Sequence, residues 1–161
     1  MEIRVRNTGQ VMFEDEFRRL HQGLGLPQTL TQEVLNDWGA DIVLEGPQAT
    51  GGTVYQYSMR QGVEQDAEGR WFTKYVLGPI FTDTPEATAA EQEAAYKAMK
   101  DAEQATNVRR TRTEKLKDCD WTQLADSPVD KAVWATYRQA LRDVPTQAGF
   151  PWTVDWPEQP K

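Results

Sequence analysis

The residues of this sequence that could do chemistry are few, and they form no recognisable catalytic set. His21 is the only histidine, so a pair of imidazole metal ligands is excluded. Cys119 is the only cysteine, which excludes an intrachain disulfide and a multi-cysteine zinc site. The cluster Asp118-Cys119-Asp120 could in principle bind a metal ion, but its spacing is unremarkable and a cap at a helix end is the expected role. With no nucleophile elbow, Walker or dinucleotide motif, we expect a non-enzymatic protein without cofactor or metal, and His21 is predicted to be an exposed surface residue.

Aromatic residues are concentrated towards the C-terminus. The stretch 118–157 holds four of the six tryptophans. Large aromatic side chains are frequent anchors in protein–protein interfaces. The pattern therefore favours a docking module over an active site. The predicted partner-binding residues are Trp121, Trp134, Tyr137, Phe150, Trp152 and Trp156.

One helix is predicted to position several of these aromatics. Ser127 can be its N-cap, with Pro128 at the first helical position and Asp130 three residues on, a capping box with Asp in place of Glu or Gln. Pro145 is expected to end the helix. The inner face is predicted from residues at helical spacing: Val133, Trp134, Tyr137, Leu141 and Val144.

The residues that follow, 150–157, are predicted to be an extended strap, because each proline restricts itself and the residue before it. Two arrangements are open. Trp152 and Trp156 can fold back onto the helix face that carries Trp134 and Tyr137, or a partner surface can complete some of these rings. If the strap binds a partner, Trp152 and Trp156 are the expected contacts.

The segment 83–117 is predicted to be a long helix. Thr84 can cap it with Pro85 at the first helical position, and neither proline nor glycine follows before residue 118. Two interpretations remain open: a solvated spacer, or a helix that self-associates as a coiled coil. The second rests on a stripe of small residues: Ala87, Ala94, Ala98, Ala102 and Ala105.

The alternation of apolar and polar residues over 1–80 predicts a small α+β domain. One predicted helix has Phe13, Phe17 and Leu20 on a single face, and a second begins at the N-cap Thr31 and ends at Gly39. The predicted strands cover 3–5, 11–12, 42–44, 53–59 and 71–77. The whole chain is thus predicted to be α+β, with an N-terminal α+β domain (1–80), a long spacer helix (83–117) and a small C-terminal helical module with an extended aromatic strap (118–161).

The charge composition narrows the choice of partners. The chain has 18 basic and 25 acidic residues, a net charge of −7, and no basic stripe. This argues against nucleic acid or an anionic membrane as a partner. With no leader pattern and no apolar run long enough to span a bilayer, we expect a cytoplasmic protein.

Three motifs in the C-terminal stretch, CDWTQLADSP, WATYRQALRDVP and GFPWTVDWP, closely resemble the phage tail assembly chaperone-like module of tail-fibre accessory proteins. The segments VLEGPQ and RWFTKYV look, more weakly, like the front half of such proteins. The matching positions are Cys119, Asp120, Trp121, Trp134, Tyr137, Arg138, Arg142, Pro145, Phe150, Pro151, Trp156 and Pro157.

The resemblance implies a bacteriophage protein whose partner is a tail-fibre protein, which it helps to fold, trimerise or attach in the host cytoplasm. It leaves open whether the product stays in the virion tail. Because the same module also occurs at the ends of structural fibre proteins, the alternative is a virion component at the fibre tip, as a cap or in receptor binding. A carbohydrate-directed enzyme or binding module is a third possibility, which rests only on the aromatic residues.

Overall fold

The computed structural model describes residues 1–160 and confirms the mixed α+β class. The chain divides into two compact units, Met1–Ile80 and Phe81–Lys161. Within the described residues, no helix has both the length and the apolar character needed to cross a bilayer.

The N-terminal unit is built on a five-stranded sheet with two helices. The elements are β1 (Glu2–Val5), β2 (Val11–Phe13), α1 (Glu14–Leu20), α2 (Gln32–Asp37), β3 (Ala40–Leu44), β4 (Tyr57–Gln65) and β5 (Trp71–Gly78). The strand order is β2-β1-β3-β5-β4. All neighbouring strands are antiparallel except β3 and β5, which are parallel.

The core of this unit lies between the helices and one face of the sheet. The predicted face of α1 is correct only for Phe17, which is fully buried, whereas Phe13 and Leu20 are exposed. Phe13 belongs to β2, where Met12 points into the core, so its neighbour must point to the other face. His21 is half-buried, with its ring 4.3 Å from that of Phe17, and not exposed as predicted. The buried core residues are Ile3, Met12, Phe17, Leu30, Leu35 and Ala40.

The sequence predicts α2 correctly and β4 only in part. The Thr31 hydroxyl accepts from the Val34 N–H at 3.3 Å as the N-cap of α2, and Gly39 has the left-handed φ of 65° expected after the helix. The strand predicted over 53–59 begins only at Tyr57, because Thr53 and Gln56 form a turn closed by a 3.0 Å backbone hydrogen bond.

A side chain fills an interruption in the sheet. Strand β3 pairs with β5 only through Val43 and Leu44. Within residues 1–160, no strand pairs with residues 40–42 on this side of β3. There the Gln32 carboxamide accepts from the Ile42 N–H at 2.8 Å and donates to the Ala40 carbonyl at 3.3 Å. In a parallel pair, one residue of the neighbouring strand would bind the same two groups, the Ala40 carbonyl and the Ile42 N–H on either side of Asp41. Gln32 therefore takes the place of one residue of an extended β5.

The C-terminal unit contains two α-helices and two short 3₁₀ turns. The long helix begins four residues later than predicted, because Thr88 and Glu91 form a complete capping box and displace Thr84 as N-cap. The Thr84 hydroxyl instead closes a turn with Ala87. The elements are α3 (Ala89–Asp118), a 3₁₀ turn (Asp120–Gln123), α4 (Lys131–Asp143) and a second 3₁₀ turn (Val144–Thr146).

The start of α4 also differs from the prediction. The N-cap is Asp130, whose carboxylate accepts from the N–H groups of Ala132 and Val133 at 2.9 and 3.2 Å, and not Ser127. Val133 therefore lies in the first turn of the helix and is exposed instead of facing inward. The other predicted inner-face residues are buried: Trp134, Tyr137, Leu141 and Val144.

Helix α3 packs through its C-terminal half. Of the predicted alanine stripe, Ala94, Ala98 and Ala102 are exposed, whereas Ala105 is buried together with Val108. This half of the helix contacts α4, so it has a partner within its own unit. Self-association through the exposed half stays a prediction.

The strap is not extended over its first part. Residues 148–152 form turns, in which the Gly149 carbonyl accepts from the N–H groups of Trp152 and Thr153 at 3.0 and 2.7 Å. Residues 154–160 have no regular secondary structure. The turn at Gly149 changes the direction of the chain before Trp156. The backbone restrictions at the prolines do not predict this turn.

Candidate partner-binding module

The C-terminal unit has an aromatic core, which includes two of the predicted partner contacts. Trp134 and Tyr137 are buried, with ring centroids 5.7 Å apart in a perpendicular arrangement. Cys119 and Leu141 complete the buried cluster, and Trp156 packs against it. Trp134 and Tyr137 thus stabilise the module itself, and a direct contact of either with a partner stays a prediction.

A buried arginine joins three elements of the module. Arg138 of α4 is 8% exposed. Its Nη1 donates to the Leu116 carbonyl at 2.9 Å and to the Cys119 Sγ at 3.0 Å, and its Nη2 donates to Asp120 Oδ1 at 2.8 Å. Burial lowers the pKa of Arg138, but the hydrogen bonds to Asp120 and Cys119 outweigh it, so the pKa is raised. The end of α3, the 3₁₀ turn and α4 are therefore held together by one charged group.

Sequence reasoning missed this role of Arg138. In the sequence, Arg138 is singled out only as a position that matches the family resemblance, whereas the structure brings it together with Cys119 and Asp120. The available signal was an arginine on the apolar face of the helix, next to Tyr137 and three residues before Leu141. A cation at such a position is expected to have a partner, but the sequence does not show which one.

The aromatic residues of the strap contact α3. Trp152 Nε1 donates to Asp101 Oδ1 at 2.6 Å. The guanidinium of Arg109 lies 5.2 Å from the ring centre of Phe150, and the ammonium of Lys115 lies 5.6 Å from that of Trp156. All three aromatic residues are half-buried. The strap is thus folded back within its own unit. Trp156 packs against the cluster of Trp134 and Tyr137, as one of the two predicted arrangements has it, whereas Trp152 contacts Asp101 of α3.

The exposed apolar residues of the module lie elsewhere, at Trp121, Leu124 and Val133. Their exposed fractions are 48%, 59% and 48%. Trp121 is the one predicted partner contact of the six that the structure leaves exposed. Leu124 and Val133 were not predicted as contacts, and Val133 was assigned to the core because the start of α4 was placed at Ser127.

The N-terminal unit has grooves on its surface. One groove of about 410 Å³ is lined by Gln32, Arg6 and Arg70 among others. Both arginines are already paired, Arg6 with Asp41 at 2.6 Å and Arg70 with Asp66 at 2.7 Å. Across residues 1–160, no three histidine, cysteine, aspartate or glutamate side chains are grouped to hold a metal ion.

The C-terminal part of the chain is similar to a known protein family. Residues 105–161 match the family model described as phage tail assembly chaperone protein. The match begins in α3 at Ala105, the first buried residue of that helix. No curated protein and no solved structure matches the chain. The segment that is similar to the phage tail assembly chaperone family is thus the one that contains the aromatic core, the Arg138 network and the strap.

Proposed function

We propose that this protein is a chaperone for a phage tail fibre, which it binds in the host cytoplasm to assist folding, trimerisation or attachment. The family match of residues 105–161 carries the proposal, because it supports a role as a tail assembly chaperone. The fibre as client goes beyond that match. It is supported by the three motifs that resemble the module of tail-fibre accessory proteins.

The physical properties of the chain are compatible with this role. Intertwined fibres expose apolar surface and open strand edges before their chains come into register, and such surfaces aggregate. A binding protein must cover them without aggregating itself. The net charge of −7 favours solubility, and the exposed ring of Trp121 offers a contact for the client.

Co-expression with a tail-fibre protein of the same phage tests the proposal. The fibre is produced in bacterial cells alone, with this chain, or with an unrelated acidic protein as control, and soluble trimer is quantified by gel filtration. We expect a higher yield of soluble trimer only with this chain. An equal yield in all three cultures would reject the proposal. Mass spectrometry of purified virions then shows whether the protein leaves after assembly or stays as a structural component at the fibre tip.

A further inference from the structure

We infer that the outer edge of strand β4 binds an extended segment of the client protein, which joins the five-stranded sheet as an additional strand. The inference rests on the proposed function, since it takes the client to be a tail protein. It adds the site on this chain and the backbone chemistry by which the client is held.

Strand β4 (Tyr57–Gln65) is the last strand of the sheet and pairs on one side only, with β5. An edge strand directs a row of backbone N–H and C=O groups away from its sheet. Within residues 1–160, the only hydrogen bonds to the backbone of residues 57–65 are those of the ladder with β5. Six of the nine residues of β4 are exposed, so the outer edge is open to solvent.

The edge of β4 lacks most of the features that keep other strands away, which include a very short strand, lysine and proline. Strand β2, at the other end of the sheet, has only three residues. Strand β4 has nine residues and contains neither lysine nor proline. It has a bulge between Arg60 and Val63, where Gly62 has a φ of 80°. Residues 57–60 therefore form an uninterrupted edge about 13 Å long, which we term the open segment.

The charged side chains of β4 have partners within the sheet. Arg60 donates from both terminal nitrogens to the carboxylate of Glu2 at 2.6 and 2.7 Å. The carboxylate of Glu64 lies 3.7 Å from the ammonium of Lys74. The partner of the open segment is therefore determined by its backbone groups and not by charge. An extended chain offers donors and acceptors at the matching spacing.

The side chains of the open segment indicate which extended chain fits. Tyr57 and Met59 lie on one face of the sheet, and Ser58 and Arg60 on the other, because successive side chains of a strand alternate. Side chains of an added strand would lie about 4.5–5.5 Å from these residues on both faces. The client segment that fits therefore alternates apolar residues, which contact Tyr57 and Met59, with polar ones.

A second copy of this chain could offer its own β4, but the open segment is too short to hold a dimer. Stable protein–protein interfaces bury about 1,200–2,000 Å². The bulge after Arg60 limits the pairing of two copies to residues 57–60 of each, which supply only a small part of that area. A client strand needs no such permanence, because an assembly chaperone releases its client when the strands of the client pair with one another.

The test uses the full-length chain and overlapping synthetic peptides of about 12 residues, long enough for one strand, that cover a tail-fibre protein of the same phage. Affinities are measured by fluorescence anisotropy. We expect the peptides that bind to alternate apolar and polar residues. Hydrogen exchange of the backbone amides is then followed by NMR, with and without the peptide of highest affinity.

The exchange experiment reports directly on strand addition. In the free chain, the amides of the open segment that point away from β5 should exchange nearly as fast as those of an unstructured peptide. Binding at a distant site cannot slow amides that are already exposed in the folded state. With the peptide at about ten times its Kd, their exchange should slow roughly tenfold.

A substitution at the edge provides the second measurement. Tyr57→Lys places a charge beside the open segment, as protected edges do, and should weaken peptide binding roughly fivefold, the contribution of one strong cross-strand pair. Leu24→Lys is the matched control, because Leu24 is also an exposed apolar residue but lies in the loop between α1 and α2. It should leave the affinity unchanged. Urea unfolding shows whether each variant is folded, and the exchange experiment needs no variant.

The outcomes separate this inference from the proposed function. If no peptide binds, or if a bound peptide leaves the exchange of the open segment unchanged, the inference is wrong, and the co-expression experiment still decides the proposed function. If the outward amides are protected in the chain alone and sedimentation shows a dimer, a second copy occupies the edge and the inference is wrong. If peptides bind as expected but co-expression has no effect on the fibre, the proposed function fails and the fibre is not the client.

Discussion

Replacing Arg138 by methionine is the change that tests most sharply how the C-terminal module is held together. Methionine keeps much of the aliphatic stem but removes the donors to Leu116, Cys119 and Asp120. The Asp120 side chain is 63% exposed, so its freed carboxylate is hydrated by water. The Leu116 carbonyl still accepts from the Cys119 N–H at 3.3 Å. The substitution therefore removes a buried cation without leaving a buried carboxylate unpaired.

The expected loss of stability is moderate. Hydrogen bonds to a charged group contribute about 1.5–3 kcal/mol, whereas a solvent-exposed ion pair such as that with Asp120 contributes only about 0.2–1 kcal/mol. The Nε of Arg138 is buried and has no hydrogen-bond partner among the described residues, so its removal offsets part of the loss. We expect the free energy of opening the module to fall by about 2 kcal/mol, which corresponds to about a 30-fold larger open population.

The single thiol of the chain provides the assay. Cys119 is 1% exposed, so a thiol reagent reaches it only when the module opens. Under native conditions we expect Arg138→Met to be labelled about 30-fold faster than the parent chain. Arg142→Met is the matched control, because Arg142 lies one turn further along α4 and is exposed. Labelling of Arg138→Met within about threefold of the parent would refute the view that Arg138 joins the three elements.

Three further predictions concern the helix ends and the sheet. Asp130→Ala should destabilise the chain by about 1 kcal/mol in urea unfolding through loss of the α4 N-cap, whereas Ser127→Ala should not, since within residues 1–160 the buried Ser127 hydroxyl has no hydrogen-bond partner. Gln32→Leu should cost about 1–2 kcal/mol and accelerate hydrogen exchange of the Ile42 amide. The pKa of Glu91 is lowered because its carboxylate accepts from the backbone N–H and the hydroxyl of its N-cap, so this stabilisation is present above the ordinary pKa of 4.5 and is lost as the pH falls through the folded pKa. The protection of the amides at the start of α3, taken as the ratio of the intrinsic to the observed exchange rate at each pH, should therefore fall at acidic pH in the parent chain but not in Glu91→Gln.

Each of these predictions has a contrary result. Equal destabilisation by Asp130→Ala and Ser127→Ala would mean that the helix start is shared between the two residues. Unchanged exchange of the Ile42 amide in Gln32→Leu would mean that the carboxamide does not protect the strand edge. If the protection of the amides at the start of α3 does not change with pH in the parent chain, the role given to Glu91 is wrong.

The sequence predicted most elements of the fold but misplaced both helix starts in the C-terminal unit. Thr84 and Thr88 both satisfy the local preference for an N-cap, as do Ser127 and Asp130. For α3, Glu91 lies three residues after Thr88 and could have decided the choice. For α4, the carboxylate of Asp130 accepts two backbone N–H groups, an advantage that depends on geometry and not on the residue pattern.

The candidate site was harder to predict because its contacts are distant in sequence. Trp152 pairs with Asp101 and Arg138 with Cys119 and Asp120, and no periodic pattern connects such positions. The number of aromatic residues therefore overstated how many are free to bind. The exposure of Leu124 depends on the loop between the 3₁₀ turn and α4, whose conformation no local residue pattern predicts.

The most direct test of a role in tail assembly is deletion of the gene from the phage, followed by electron microscopy of the particles. The account predicts particles that lack tail fibres and are not infectious, with both properties restored when the full-length chain is supplied from a plasmid. Particles with normal fibres and normal infectivity in the deletion mutant would contradict it.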